Sequence, residues 1–382
     1  MRNGLVSALC LSVLGLGAAA LLSLPAAADI KTFNAAVSRS DYKAAAAEAA
    51  STWPTLDKSR KDINVIAQEF GYAAFMSNDY AASRTYAEFA SSHSDIGADT
   101  GADPYLQAVS TVLLKLSEHR LQPSDKTRDD LLAAVMKRAD QPGFDNVSYL
   151  GVDSILAYDM DKAAWAAAKK DADLGVQLAS VGGAYYAIPK RRLELFSGIA
   201  EYFTDPNVNA FVKVRKLKKT IADDIDTAAS DDAARLLLPI YWETTTWRQA
   251  MGSHLFALRK KVPEDPDGPA YGSTPVVGER FQRIFPSGGD CKIEPVWSKE
   301  PEYPPSSKYK NFVAAVLVAT DIDEKGNPVN TRILGAAPEV FGPHVLKIVT
   351  SARFKRAWGE KADCKLARKN HRMDFEFQVR GF

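Results

Sequence analysis

Across residues 263–289 the hydrophobic period of this chain changes from helical to strand-like, so the two sides cannot belong to one layer of structure. That stretch holds five prolines (263, 266, 269, 275, 286) and five glycines (268, 272, 278, 288, 289). Such a composition reads as an extended linker poor in structure, able to reach roughly 90 Å at about 3.3 Å per residue. Before it, residues 29–262 repeat apolar and small side chains at helical spacing, with few prolines and no β-branched alternation. After it, short Val- and Phe-rich runs alternate with polar residues.

At 382 residues, 46% hydrophobic and 25% charged, the chain can bury more than one core. A net charge of +1 gives no global attraction to nucleic acid. Arg2, an apolar run over 5–24, Pro25 and Ala26-Ala27-Ala28 before Asp29 form a secretory signal, residues 1–28, with a small-residue cleavage site. If retained, residues 5–24 are long enough to anchor the chain in a membrane. Cys10 lies inside this run, behind a Leu9 that does not suit lipidation. The mature chain keeps Cys291 and Cys364, which in an oxidising compartment are expected to form one bridge.

Within 29–262, residues 35–50 and 73–88 match at an offset of 38, sharing two alanines, an Asp-Tyr pair and following alanines; residues 155–168 form a looser third copy. The pattern resembles the tetratricopeptide type of helical hairpin, with Ala35, Ala36, Ala73 and Ala74 allowing close helix approach and Tyr42 and Tyr80 filling the turn. An irregular alanine-rich bundle is the alternative. Either is a scaffold.

In the C-terminal part, residues 311–322 and 327–334 read as two strands around a polar turn, 342–354 as a helix, and 371–379 as a strand alternating Met373, Phe375, Phe377 and Val379 with polar neighbours. The turn begins Asp321-Ile322-Asp323-Glu324-Lys325-Gly326, like a calcium loop, but positions 5 and 12 of such a loop are Lys325 and Arg332. Two cations in place of two ligands favour a hairpin with Gly326 at an unusual backbone angle.

Pro301-Glu302-Tyr303-Pro304, the hairpin, the aromatic-basic Ala352-Arg353-Phe354-Lys355 and the closing Met373 to Val379 strand occur in an order that resembles the C-terminal domain of the TonB energy-transducer family. The resemblance covers residues 301–379 and implies a strand-strand-helix-strand domain. It further implies that a partner is gripped by strand addition at the closing strand, through His371, Arg372, Met373, Asp374, Phe375, Glu376, Phe377, Gln378 and Val379, with Tyr303 and Pro304 alongside.

No constellation suited to catalysis appears. The histidines at 93, 119, 254, 344 and 371 form no zinc pattern, and Ser40-x-x-Lys43 and Ser307-x-x-Lys310 lack the supporting motifs of acyl enzymes. Nine basic residues against Glu360 and Asp363 lie between Lys347 and Arg372, either a solvated surface or a contact for an anionic partner.

The expectation is therefore a multidomain α+β protein: signal 1–28, helical-repeat domain 29–262, linker 263–289 and TonB-like domain 290–382. It reads as a non-enzymatic scaffold of the Gram-negative periplasm, without cofactor or metal, that binds a protein or peptide of the cell envelope such as an outer-membrane receptor. A homodimer through the same edge would also fit. The alternative is a transducer held in the inner membrane by residues 5–24 and powering outer-membrane import.

Overall fold

A computed structural model describes residues 27–93, 104–141, 143, 145–181, 186–261, 278–287, 289, 291–298 and 314–377. The chain is mostly helical, with a small antiparallel sheet region toward the C-terminus. It forms two compact units, Met1–Lys190 and Arg191–Phe382. The signal segment up to residue 26, most of the Pro/Gly-rich stretch and the Pro301 to Pro304 motif lie outside the described residues.

The first unit is built from α1 (Ala27–Ser38), α2 (Tyr42–Thr52), α3 (Ile63–Met76), α4 (Tyr80–Ser92), α5 (Pro104–Leu121), α6 (Asp125–Ala139), α7 (Asn146–Asp161) and α8 (Trp165–Val181). Consecutive helices pack on one another, and α3 and α7 also touch α5. The Asp-Tyr repeat is a helix-terminating device. After α1, Ser40 takes a left-handed φ of 57°, Ser40 N–H bonds Val37 O at 2.8 Å, and Asp41 N–H bonds Ala36 O at 3.0 Å. After α3, Asn78 has φ 68°, with Asn78 N–H on Phe75 O and Asp79 N–H on Ala74 O, both 2.9 Å. Each aspartate then caps the next helix, accepting from Ala44 N and Ala82 N. One dipeptide thus closes one helix and opens another.

The third turn, at Ala163 (φ 55°), has the same bonds, Ala163 N–H to Met160 O and Ala164 N–H to Asp159 O. There, Ala164 and Trp165 stand where the first two copies have Asp and Tyr, which is why this copy looks degenerate in sequence. Of the four alanines read as close-packing, Ala36, Ala73 and Ala74 are buried but Ala35 faces solvent. Tyr42 and Tyr80 pack edge-on or tilted against Tyr72 and Phe75.

The second unit takes up most of α9 (Ala187–Thr204), then α10 (Val208–Thr227), α11 (Asp231–Ala257), α12 (Glu279–Ile284), β1 (Ile293–Val296), β2 (Ala314–Ile322), β3 (Pro328–Ala337), α13 (Gly342–Thr350), β4 (Arg353–Arg356) and β5 (Arg368–Phe377). The compact units thus part at 190/191, and α10 to α12 belong with the sheet. The main sheet is antiparallel in the order β3-β2-β5, and β1 pairs with β4 as a separate ribbon. Every residue of β2 is buried, as expected of a central strand covered on both faces. On one face Val316, Val318 and Phe377 meet Phe341, Val345 and Val349 of α13 and the turn before it. On the other, Ala315 and Ala337 meet Trp247 and Ala250 of α11. Gly335 permits this approach, since a Cβ there would lie 2.3 Å from Thr246 Oγ1.

Three local expectations are corrected. Within the Pro/Gly stretch Glu279–Ile284 folds as α12, with Ile284 buried and with Phe281, and Phe285 just after the helix, packed on Tyr241 and Trp242 of α11. The aromatic-basic end read as part of the last helix is strand β4, whose Phe354 turns inward while Arg353, Lys355 and Arg356 face out. The closing strand begins earlier than expected, at Arg368.

Candidate functional site

The hairpin at Asp323 to Asn327 is a turn. Gly326 has φ +80°, and a Cβ there would meet the Phe354 carbonyl oxygen, so only glycine fits. The acids that mimic a calcium loop are engaged with donors. Asp323 accepts from the backbone N–H of Lys325 at 2.9 Å and of Asn327 at 2.7 Å. Asp321 accepts from Asn370 N at 2.9 Å and from Lys369 Nζ at 3.0 Å. Burial pushes the Asp321 carboxyl up, but bonds from Asn370, Asn330 and Lys369 outweigh it and hold it below the usual range.

β5 lies at one margin of the main sheet. Its register with β2 is unbroken from Ala314↔Phe377 to Thr320↔His371, with a shift only beyond Thr320. Over His371 to Glu376, β2 is its sole ladder partner among the described residues. The other margin, β3, is broken by two register shifts and starts at Pro328, features that blunt an edge. Met373, Phe375 and Phe377 pack toward α13, as the alternation implies. The opposite face is not open to solvent throughout: Glu376 accepts from Gln249 at 2.8 Å and Ser253 at 2.7 Å, both on α11. Arg372 pairs with Asp374 along the strand at 3.2 Å. His371 packs edge-on to Phe354, and burial, then the Arg368 charge, lowers its pKa to about 4. Tyr303, Pro304, Gln378 and Val379 lie outside the described residues.

Cys291 and Cys364 stand at disulfide distance, with Cα atoms 5.8 Å apart, tying the approach to β1 to the loop before β5. The Glu360 carboxylate lies close to both sulfurs, but the bridge removes both thiols from any ligand set.

Two features of the molecule give no sequence signal. In the first unit, Arg128 of α6 reaches buried Asp159 of α7 at 2.7 Å and also buried Asp171 of α8. Burial raises the Asp171 pKa to about 7 against the pull of Arg128, helped by a hydrogen bond with Asp159. This cluster borders a cavity of about 430 Å³ between α6 and α8, lined by Leu132, Met136, Ala166, Lys169, Leu174 and Gln177. In the second unit, Trp358, between β4 and β5, is 99% exposed. An arginine whose two aspartates lie 31 and 43 positions further on, or one aromatic in a loop, leaves no periodic trace.

No protein-family model, curated protein or solved structure matches the chain.

Proposed function

We propose that this chain is a non-enzymatic interaction protein of the cell envelope, in which tetratricopeptide-like hairpins form a scaffold and a TonB-like C-terminal sheet binds an extended segment of a partner. The observation that carries this reading is the regular, unbulged margin of β5 from His371 to Glu376, paired on one side only among the described residues. Such a margin offers backbone N–H and C=O groups to an incoming strand, so main-chain bonds supply affinity with little demand on side chains. The charges of Arg372 and Asp374 guard the margin against indiscriminate pairing.

The test uses the full chain with a photo-crosslinker in place of exposed Asp374. It should capture a segment of another envelope protein. In the resulting complex, hydrogen exchange should slow at alternate amides of β5, because every second N–H faces away from β2. Capture of only a second copy, or a complex in which β5 amides exchange as before, would overturn the reading.

A further inference from the structure

From the second unit's surface we infer that the β4–β5 loop is an anchor for anionic lipid bilayers, with the Trp358 indole entering the headgroup layer and the surrounding cations contacting lipid phosphates. This surface is distinct from the β5 margin and does not depend on what that margin binds.

The loop is a fixed projection. At its base Ala357 N–H bonds Lys292 O at 3.0 Å, continuing the β1–β4 ladder. Glu360 N–H closes the turn on Ala357 O at 3.2 Å, and Gly359, at φ +85°, supplies the backbone angle. Arg356 Nε holds Cys364 O at 2.9 Å, and Cys364 is stapled to Cys291. A large side chain on so constrained a tip is presented to solvent rather than folded back, and at 99% exposure no described residue covers it.

Its surroundings are cationic. Between Arg353 and Lys365 five basic residues stand against Glu360 and Asp363, in a chain whose net charge is only +1. Lys355 has a partner, Glu294 at 2.9 Å. Arg353, Lys361 and Lys365 are exposed and make no ion pair among the described residues.

A soft anionic interface fits this better than a folded protein partner. A hot-spot tryptophan at a protein interface is surrounded by apolar contact area and fills a pocket. Here an exposed indole shares one loop with Lys361 and Lys365, exposed cations without an ion pair among the described residues. Indoles favour the headgroup level, where the ring is half desolvated and its N–H stays wet. Each cation near an anionic bilayer contributes about 1 kcal/mol, and the pairing of one apolar insertion with a basic patch gives reversible attachment.

The experiment is co-sedimentation of the full chain with phosphatidylglycerol–phosphatidylcholine vesicles, compared with phosphatidylcholine alone. Binding should require phosphatidylglycerol and weaken as salt is added. Lys361→Gln and Lys365→Gln should each reduce partitioning about fivefold, and Trp358→Ala should reduce it by a similar factor or more. These side chains are exposed, so circular dichroism should be unchanged. Brominated lipid should quench part of the tryptophan fluorescence of the parent, and that part should be missing in Trp358→Phe. Absence of vesicle binding, equal binding to neutral vesicles, or parental binding by Trp358→Ala would each overturn the inference, as would a soluble protein ligand that protects Trp358 while vesicles do not.

Discussion

Ser253 of α11 donates a 2.7 Å hydrogen bond to the carboxylate of Glu376 on β5, so a side chain of the proposed binding strand is held by a helix more than a hundred residues earlier. With Trp247 and Ala250 over Ala315 and Ala337, α11 forms one wall of the sheet. A fragment starting at residue 289 lacks that wall and should show no cooperative thermal transition, whereas one starting at Arg191 should melt cooperatively. In the full chain Glu376→Ala should cost about 1 kcal/mol, the usual net worth of a partly exposed hydrogen-bonded group, measured by urea unfolding. A cooperative melt of the shorter fragment would show that α11 is dispensable.

What could be read in the sequence and what could not divide along the range of the interactions. Asp41-Tyr42 and Asp79-Tyr80 signal the helical hairpins because a cap and a left-handed turn are local events. Gly326 signals the hairpin for the same reason, and Met373, Phe375 and Phe377 reveal the inward face of β5 through simple alternation. By contrast, the α11 wall is invisible, since the helical period of Trp247 and Ala250 says that a face is buried but not against what. The six-residue α12 and four-residue β4 are too short for any period to register. Of the candidate site, the strand was legible; its hold on α11 and the exposed Trp358 were not.

The disulfide joins positions 73 apart. In the chain-entropy account, closing such a loop stabilises by about 4 kcal/mol. The full chain, denatured without reductant, should show no thiol reactive at positions 291 or 364. Cys291→Ser with Cys364→Ser should lower the urea midpoint of the second unit and leave that of the first in place.

Acid should weaken the second unit through His371. Its folded pKa is lowered to about 4 by burial and then by Arg368, while an unfolded histidine titrates near 6.5. Between those values the unfolded chain binds the extra proton, so the contribution is full above about pH 6.5 and is lost as pH falls through about 4. The loss should be about 3 kcal/mol. His371→Gln should flatten this limb of a stability–pH curve. An identical slope in that variant would assign the effect elsewhere.

Arg128 should be the costliest single surface-to-core ion to remove. Besides exposed Asp129 it serves two nearly fully buried carboxylates, Asp159 and Asp171, so Arg128→Ala leaves both without their guanidinium. Breaking a buried network in this way costs roughly 3–5 kcal/mol. Adding Asp171→Asn should recover part of the loss at alkaline pH, where Asp171 would otherwise be ionised beside Asp159, since burial already raises its pKa to about 7 with Arg128 in place. If the double variant is no more stable than Arg128→Ala, the carboxylates do not repel as the geometry requires.

The three helix-ending turns make a finer prediction about the first unit. Ser40, Asn78 and Ala163 all hold left-handed backbone with φ between 55° and 68°. Asparagine tolerates that region best of the three, since its short polar side chain bonds locally, and Asn78 does accept a 2.8 Å bond from Tyr80 OH. Alanine has no such compensation, and its Cβ in this conformation costs roughly 1–2 kcal/mol. Glycine removes that strain but adds backbone freedom to the unfolded chain, an offset of about 0.5–1 kcal/mol. Ala163→Gly should therefore stabilise the unit by about 0.5 kcal/mol, whereas Ala163→Val, which adds branching at the same angle, should destabilise it by more than that. At Asn78 the balance differs, because Asn78→Gly also gives up the Tyr80 bond, and little or no gain is expected. Chemical denaturation of the three variants beside the parent decides it: a loss on Ala163→Gly would mean that α7 does not end in the left-handed turn it shares with α1 and α3.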